Sequence, residues 1–382
     1  MRKKIWLFII IVMALLLLSA ISCYAAIPTP SPTDNRGVIN SIVNNLNTNE
    51  FDQQIQKSSP DYSLKDFVIN SLSGRDAFSY KDILNNILDR GKSIFIDNIY
   101  IFITLIVISI FSGFIKSLLI NMEGTTAKAC SYSILAIYVS LLLKIFYDCY
   151  SSCYAYVDVV SNILYKFFPI FGTVTVFSGK VISATLSTQV LFWTTAAFAY
   201  LIKNFFLPVI IGFVIFSIVN SLSKEYSFSG LTSFMSNSIK WALGGIMTIF
   251  VGIVSLQGVI APVADNLMLN TSTYTVKTGV PILGSILSDT VNFMASSGGI
   301  IKSAVGVAGL VGLVLVCFIP ILTILIKKII LSTSTAILEP VADPNLSNVV
   351  NNFASGLLLL ILVEVSLAVM GFINISLLIR SF

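Results

Sequence analysis

The sequence predicts an all-α, polytopic membrane protein with about eight transmembrane helices. Of its 382 residues, 56% are hydrophobic and 11% are charged, and the mean hydropathy is +0.91. A water-soluble domain of this size needs more surface charge. The apolar residues form continuous runs of about twenty residues, the length of a helix that crosses a bilayer. These runs do not alternate between apolar and polar residues as membrane β-strands do. The lipid bilayer is therefore the expected surrounding. The net charge of +5 forms no basic stripe, so nucleic acid is not an expected partner.

Residues 1–25 have the pattern of a signal peptide. The basic cluster Arg2–Lys4 precedes the apolar run Ile5–Ile21, and small residues stand three and one places before a cut after Ala25. The long apolar run leaves an uncleaved anchor as an alternative, and Cys23 leaves a lipoprotein signal as another. In each case the chain from residue 26 onward starts outside the cytoplasm.

Residues 26–93 form a predicted extracytoplasmic segment of short amphipathic helices. Two pairs, Ser63 with Asp66 and Ser79 with Asp82, have the spacing of capping boxes that begin helices. Helices this short bury little apolar surface by themselves. We expect them to lie on the membrane or on a partner rather than to form an independent domain.

Residues 94–382 form the predicted multi-span membrane domain. The charged and amide pair Lys203-Asn204 interrupts one long apolar stretch and predicts a tight hairpin. The lysines between the spans give a mild bias for residues 26–97 to lie outside the cytoplasm. The eight predicted spans are 98–119, 129–147, 159–177, 184–202, 204–221, 241–260, 300–326 and 355–379.

Three polar side chains within or near the ends of spans are candidate functional residues: Lys166, Gln257 and Glu364. A charge at the bilayer centre costs about 2.5–3.5 kcal/mol on insertion scales, so Lys166 and Glu364 should not face lipid. Two interpretations remain open. The three residues form a polar pathway through the bundle, or Lys166 and Glu364 form a structural ion pair.

Two stripes of small residues predict close helix packing, because lipid supplies no hydrophobic force to drive helices together. The stripes are Gly244, Thr248 and Gly252 in one span, and Ala304, Ala308 and Gly312 in the next. Packing within the chain and a dimer interface are both compatible with them.

The stretch near 278–297 is predicted to be a short amphipathic helix at the outer membrane face or a re-entrant element. Pro281 suits its first turn, and Gly298-Gly299 suits its end. Fourteen helical residues span about 21 Å, too short for a hydrocarbon core of about 30 Å. The candidate residues for lining a passage or meeting a partner here are Asp265, Lys277, Ser288 and Asp289.

Catalysis is not expected. The chain contains no histidine, which removes the common zinc motifs and Ser–His nucleophile pairs, and no metal or cofactor is expected. Cys130 and Cys317 lie in spans and suit apolar packing. Cys149 and Cys153 fall in a predicted outer loop, where a disulfide and free thiols both remain possible.

Several motifs in the second half of the chain resemble the stage III sporulation protein AE family. The resemblance covers nearly the whole chain, including the order of signal peptide, outer segment and spans. The motifs are "TIFVGIVSLQG" (248–258), "VADNLMLNTSTYTVKTGVPILGSILSDT" (263–290), "KSAVGVAGLVGL" (302–313) and "ILEPVADPNLSNVVNNFASGLLLLI" (337–361).

The resemblance implies a non-enzymatic membrane component of a sporulation channel or secretion complex. Such proteins sit in the mother-cell membrane around the forespore and support late forespore development. The implied partners are other proteins of the stage III sporulation A complex, namely a secretion-type ATPase and ring-forming proteins, and stage II sporulation protein Q across the intermembrane space. The alternatives are an independent secondary transporter and a membrane scaffold without its own pore.

Overall fold

The computed structural model describes residues 46–57, 59–60, 62–72, 80–119, 125–178, 180–222, 228–279, 281–338 and 344–380. The predicted signal peptide lies outside this range. All regular structure in the described residues is helical, which confirms the all-α prediction. The helices are α1 (Asn49–Gln56), α2 (Leu64–Leu72), α3 (Tyr80–Leu119), α4 (Thr125–Phe177), α5 (Val181–Leu201), α6 (Leu207–Leu222), α7 (Ser229–Gly279), α8 (Pro281–Leu338) and α9 (Pro344–Arg380).

Within the described residues, six helical stretches are long and apolar enough to cross a membrane, rather than the eight predicted. The difference arises because two predicted pairs of spans each form one continuous helical stretch. The six candidate spans are Asp89–Ile115, Tyr132–Phe177, Val181–Ser221, Ser229–Gln257, Gly299–Ala336 and Leu346–Ile379.

The first merger joins the predicted spans 129–147 and 159–177 within α4. The predicted outer loop between them is wrong, because Cys149 and Cys153 lie on the continuous helix, are buried and are free thiols. The candidate span in α4 has 46 residues, which extends about 69 Å at helical rise. That length is more than twice the hydrocarbon thickness of a bilayer.

The second merger joins α5 to α6 through a π-helical turn, Ile202–Phe206, so the predicted hairpin at Lys203-Asn204 is also wrong. The Lys203 ammonium pairs with the Asp158 carboxylate of α4 and lies 4.1 Å from the centre of the Tyr154 ring. The Asn204 amide donates to the Tyr200 carbonyl oxygen at 3.0 Å. These contacts satisfy the polar groups without a turn, and π turns of this kind accommodate one extra residue in a helix.

Helix α9 fills the centre of the bundle. It packs against α8 most extensively, and also against α4, α5, α6 and α7. In the most apolar 18-residue stretch of α9, 72% is buried within the protein. In the corresponding stretches of α3 and α7, only 17% and 22% is buried. The molecule therefore has a packed centre, made by α4, α8 and α9, and outer helices with large exposed apolar faces.

The predicted short helix near 278–297 is part of a longer one. Helix α8 begins at Pro281, as predicted, but continues through Gly298-Gly299 to Leu338. The expected end at the two glycines is therefore wrong, because the helical hydrogen bonds continue across them.

Helices α1 and α2 pack against α4 and α8 of the bundle rather than standing apart from it. Ser63 caps α2 as predicted, since its Oγ accepts from the Asp66 N–H at 3.3 Å; Ser79 lies outside the described residues. The Asp52 carboxylate joins α1 to α2 by accepting from the Leu64 N–H at 2.9 Å and from the Thr48 hydroxyl at 2.9 Å. Burial raises the pKa of Asp52, and these hydrogen bonds oppose the rise.

Candidate functional site

Glu364 lies on the central helix α9 and is completely buried. Among the described residues, no group donates a hydrogen bond to either oxygen of its carboxyl group. The neighbouring contacts go to the backbone of α9 instead. The Tyr156 hydroxyl donates to the Glu364 carbonyl oxygen at 3.0 Å, and the Cys153 sulfur lies 4.0 Å from the Leu360 carbonyl oxygen.

Four side chains from two other helices lie near the Glu364 carboxyl group. Cys149, Cys153 and Tyr156 come from α4, and Cys317 comes from α8. All four are buried, and Tyr156 of α4 lies close to Cys317 of α8. We call these five residues the Glu364 cluster. In the described part of the chain, no three Cys, Asp or Glu side chains are placed to hold a metal ion.

The predicted pairing of Lys166 with Glu364 is wrong. The Lys166 ammonium lies 3.3 Å from a carboxylate oxygen of Glu50 on α1, and the two side chains are 31% and 71% exposed. The prediction paired Lys166 with Glu364 because they are the two most central charges and have opposite signs, but Glu50 of α1 lies closer to Lys166. The ring of Phe51, next to Glu50, lies 5.5 Å from the ring of Phe167, next to Lys166.

The small-residue stripe of α8 contacts α1 and the connection between α1 and α2. The Tyr62 hydroxyl donates to the Ala308 carbonyl oxygen at 2.5 Å. A Cβ atom added at Gly312 would overlap Ile55 of α1 and lie 3.3 Å from the Tyr62 hydroxyl. Ala304 and Ala308 are fully buried. In this structure the α8 stripe packs within the chain, and burial raises the pKa of Tyr62 well above its usual value.

The stripe of α7 lies in a different environment. Gly244, Thr248 and Gly252 are exposed, and a Cβ atom added at either glycine would meet no atom within 4 Å. Trp241, one turn before Gly244, is 83% exposed. The described part of the chain therefore leaves this face uncovered.

Asp265 caps a helix instead of lining an open surface. Its two carboxylate oxygens accept from the N–H groups of Ile182 and Ser183 at 2.9 and 3.0 Å. These N–H groups belong to the first turn of α5, where helical donors have no partner within the helix. Asp265 is buried, so α7 is tied to the start of α5. Burial lowers the pKa of nearby Lys180, and Asp265 opposes that effect.

The other predicted site residues divide into two groups. The side chains of Lys277, Ser288 and Asp289 lie outside the described part of the structure, so their role as a passage or partner surface stays a prediction. Gln257 has a buried carbonyl oxygen that accepts no hydrogen bond from the described residues. The structure does not bring Gln257 into the Glu364 cluster.

Two asparagines on α9 were missed by the sequence reasoning. The Asn352 amide donates to the Ser221 hydroxyl at 3.0 Å, and the Asn374 amide donates to the Thr195 hydroxyl at 3.2 Å. Asn374 is fully buried. Amides within a strongly apolar run, spaced along the same helix as Glu364, were the signal that could have found them.

The comparisons with known proteins identify one family. The family model for stage III sporulation protein AE matches residues 62–381, which leaves α1 before the matched region. A curated relative, "Stage III sporulation protein AE" of Bacillus subtilis (strain 168), is 26% identical over 264 residues. The match covers 69% of this chain and 64% of the relative, less than two thirds of that protein's length. No solved structure matches the chain.

Proposed function

The chain belongs to the stage III sporulation protein AE family, and from this premise we propose that it is a non-enzymatic component of a transenvelope channel or secretion complex. It is a multi-pass, sporulation-related membrane protein. In the proposal it lies in the mother-cell membrane around the forespore and is needed for late forespore development. Its proposed partners are a secretion-type ATPase, ring-forming proteins and stage II sporulation protein Q.

The observation that carries this proposal is the contrast between the packed centre and the outer helices. Because α9 fills the axis of the bundle, a passage would run between copies of the chain or between the chain and its partners. The most apolar stretches of α3 and α7 are only 17% and 22% buried within the protein. These two helices therefore offer exposed apolar surface for such contacts. Interfaces within membranes rely on close packing and small residues, which the exposed stripe of α7 provides.

Photo-crosslinking in sporulating cells tests this proposal. A crosslinking amino acid would replace Trp241 on α7 or Trp193 on α5, which are 83% and 68% exposed, with fully buried Phe206 as the matched control. We expect protein adducts with the proposed partners at the exposed positions and none at Phe206. Adducts with lipid alone at both tryptophans would overturn the proposed assembly.

The location requires its own experiment. Reporter fusions after Gly74 and after Ser334 should report opposite compartments. Five candidate spans begin after Gly74, and Ser334 lies two residues before the end of the fifth, Gly299–Ala336. Fluorescence microscopy of the full chain should place it around the forespore. Matching compartments at both fusion sites would contradict the proposed topology.

An independent secondary transporter is the second candidate, and the Glu364 cluster favours it. Ionisable groups buried within membrane helices commonly mark ion or substrate pathways. Solute uptake by liposomes that contain only this chain would support a transporter, whereas uptake that requires the partner proteins would support the proposed complex. The absence of uptake together with normal partner adducts would support the scaffold alternative.

A further inference from the structure

The Glu364 carboxyl group occupies a position that does not suit an ionised carboxylate. It is completely buried, and none of the described residues donates a hydrogen bond to it. An ionised carboxylate that leaves water loses hydration, which a paired cation or several donors must replace. The surrounding thiols and the Tyr156 hydroxyl are weak or committed donors, since Tyr156 donates to the backbone of α9.

Four charged groups on or beside the helices packed against α9 have contacts away from Glu364. Lys166 of α4 pairs with Glu50, and Lys203 beside α5 and α6 pairs with Asp158. Asp265 of α7 caps α5. On α8, Lys302 lies 5.4 Å from the centre of the Phe171 ring. Two further charged groups, Lys327 of α8 and Asp148 of α4, lie near Cys149 of the cluster.

We propose that Glu364 is a proton-binding site, and that release of its proton is coupled to separation of α4, α8 and α9. The bound proton makes the carboxyl group neutral, which suits its apolar surroundings. When the proton passes to water, the remaining carboxylate requires hydration, and water reaches it only if the packed helices move apart. Proton binding then favours the closed bundle. This property belongs to the chain alone and does not depend on the proposed assembly.

Infrared spectroscopy tests the proton directly. The purified protein at neutral pH should show the carbonyl stretch of a protonated carboxyl group in apolar surroundings, and the band should shift in heavy water. Glu364→Gln should abolish this band, because glutamine has the shape of the protonated side chain without its acidic proton. Glu50→Gln is the matched control and should keep the band, since Glu50 is 71% exposed.

The reactivity of the native cysteine thiols in the Glu364 cluster measures whether ionisation of Glu364 is coupled to separation of the helices. Alkylation of Cys153 and Cys317, followed by mass spectrometry, would be measured over a pH series in wild type and in Glu364→Gln. Thiolate formation accelerates alkylation in both proteins, so only the difference between them reports Glu364. We expect the wild-type rates to rise several-fold more with pH, while Cys130, outside the cluster, rises equally in both.

Two results would overturn the proposal. A protonated-carboxyl band that survives in Glu364→Gln would show that another group carries the proton. Equal pH profiles for Cys153 and Cys317 in the two proteins would show that ionisation does not open the bundle. If Glu364→Gln fails to fold, Glu364→Leu, which also removes the proton-binding group and suits the apolar surroundings, replaces it in both comparisons.

Discussion

The central helix α9 and the outer helix α3 are similarly apolar, yet their surroundings differ. The most apolar 18-residue stretch of α9 is 72% buried within the protein, whereas that of α3 is 17% buried. In water, apolar surface alone would drive both helices into a core. In a bilayer, lipid is as apolar as the interior, so hydrophobicity does not decide which helix is central.

Polar groups distinguish the two regions. Asn352, Glu364 and Asn374 are spaced along α9, and the two asparagines donate to side chains of α6 and α5. The outer helix α7 carries its small residues on an exposed face instead. The centre of this bundle is therefore marked by polar residues and close backbone contacts, and the following predictions test that distinction.

Gly309→Leu should give the largest loss of stability. A Cβ atom at Gly309 of α8 would overlap the ring of Phe167 on α4, and overpacking a core costs about 1–3 kcal/mol or more. Denaturant unfolding in detergent should show a lower midpoint than wild type. Gly252→Leu on the exposed face of α7 is the matched control, because no atom lies within 4 Å of that position.

The Gly252→Leu variant also tests, in the native membrane, whether a partner covers the exposed face of α7. If Gly252→Leu unfolds normally in detergent but impairs sporulation, the α7 face is covered by a partner there. Equal destabilisation of the two purified variants would contradict the assignment of α7 to the outer region.

Asp265→Ala should give the next largest effect. The change leaves the N–H groups of Ile182 and Ser183 without their carboxylate acceptor, and loss of a helix cap costs about 0.5–2 kcal/mol. Asp265→Asn keeps one acceptor oxygen and should lose less. The free energy of unfolding would be measured for both variants. An equal loss for Ala and Asn would mean that the negative charge, rather than the two hydrogen bonds, supplies the stability.

The sequence was sufficient for the helical class and for the starts of some helices. Continuous apolar runs identified the membrane helices, the Ser63 and Asp66 pair identified the start of α2, and Pro281 identified the start of α8. These signals are local, because capping and proline geometry depend on residues within one helical turn.

The errors came from polar residues whose partners are distant in sequence. The sequence predicts turns at Lys203-Asn204 and near Cys149 and Cys153, since polar groups in apolar runs usually mark a membrane face. In the structure Lys203 pairs with Asp158 of another helix, which removes the need for a turn. The sequence does not identify Glu50 as the partner of Lys166, because nothing in it indicates that α1 packs against the spans.

Tyr62→Phe tests the attachment of the α1–α2 connection to the packed centre. The change removes only the hydroxyl that donates to the Ala308 carbonyl oxygen, and one such hydrogen bond contributes about 0.5–1.5 kcal/mol. Tyr147→Phe is the matched control, since Tyr147 is 68% exposed on α4. We expect a lower free energy of unfolding for Tyr62→Phe alone. No difference between the two variants would place the α1–α2 connection outside the cooperative unit.

The Lys166–Glu50 pair should have the smallest effect. Both side chains are partly exposed, at 31% and 71%, and exposed ion pairs contribute about 0.2–1 kcal/mol. A double-mutant cycle of Lys166→Gln and Glu50→Gln should give a coupling energy in that range, reduced further by salt. The same cycle with Lys166→Gln and Glu364→Gln should give no coupling, because the structure does not pair these charges. Coupling between Lys166 and Glu364 that exceeds the coupling with Glu50 would restore the pairing expected from sequence. It would also supply Glu364 with a cation that the described residues do not provide, and so would contradict its role as a proton-binding site.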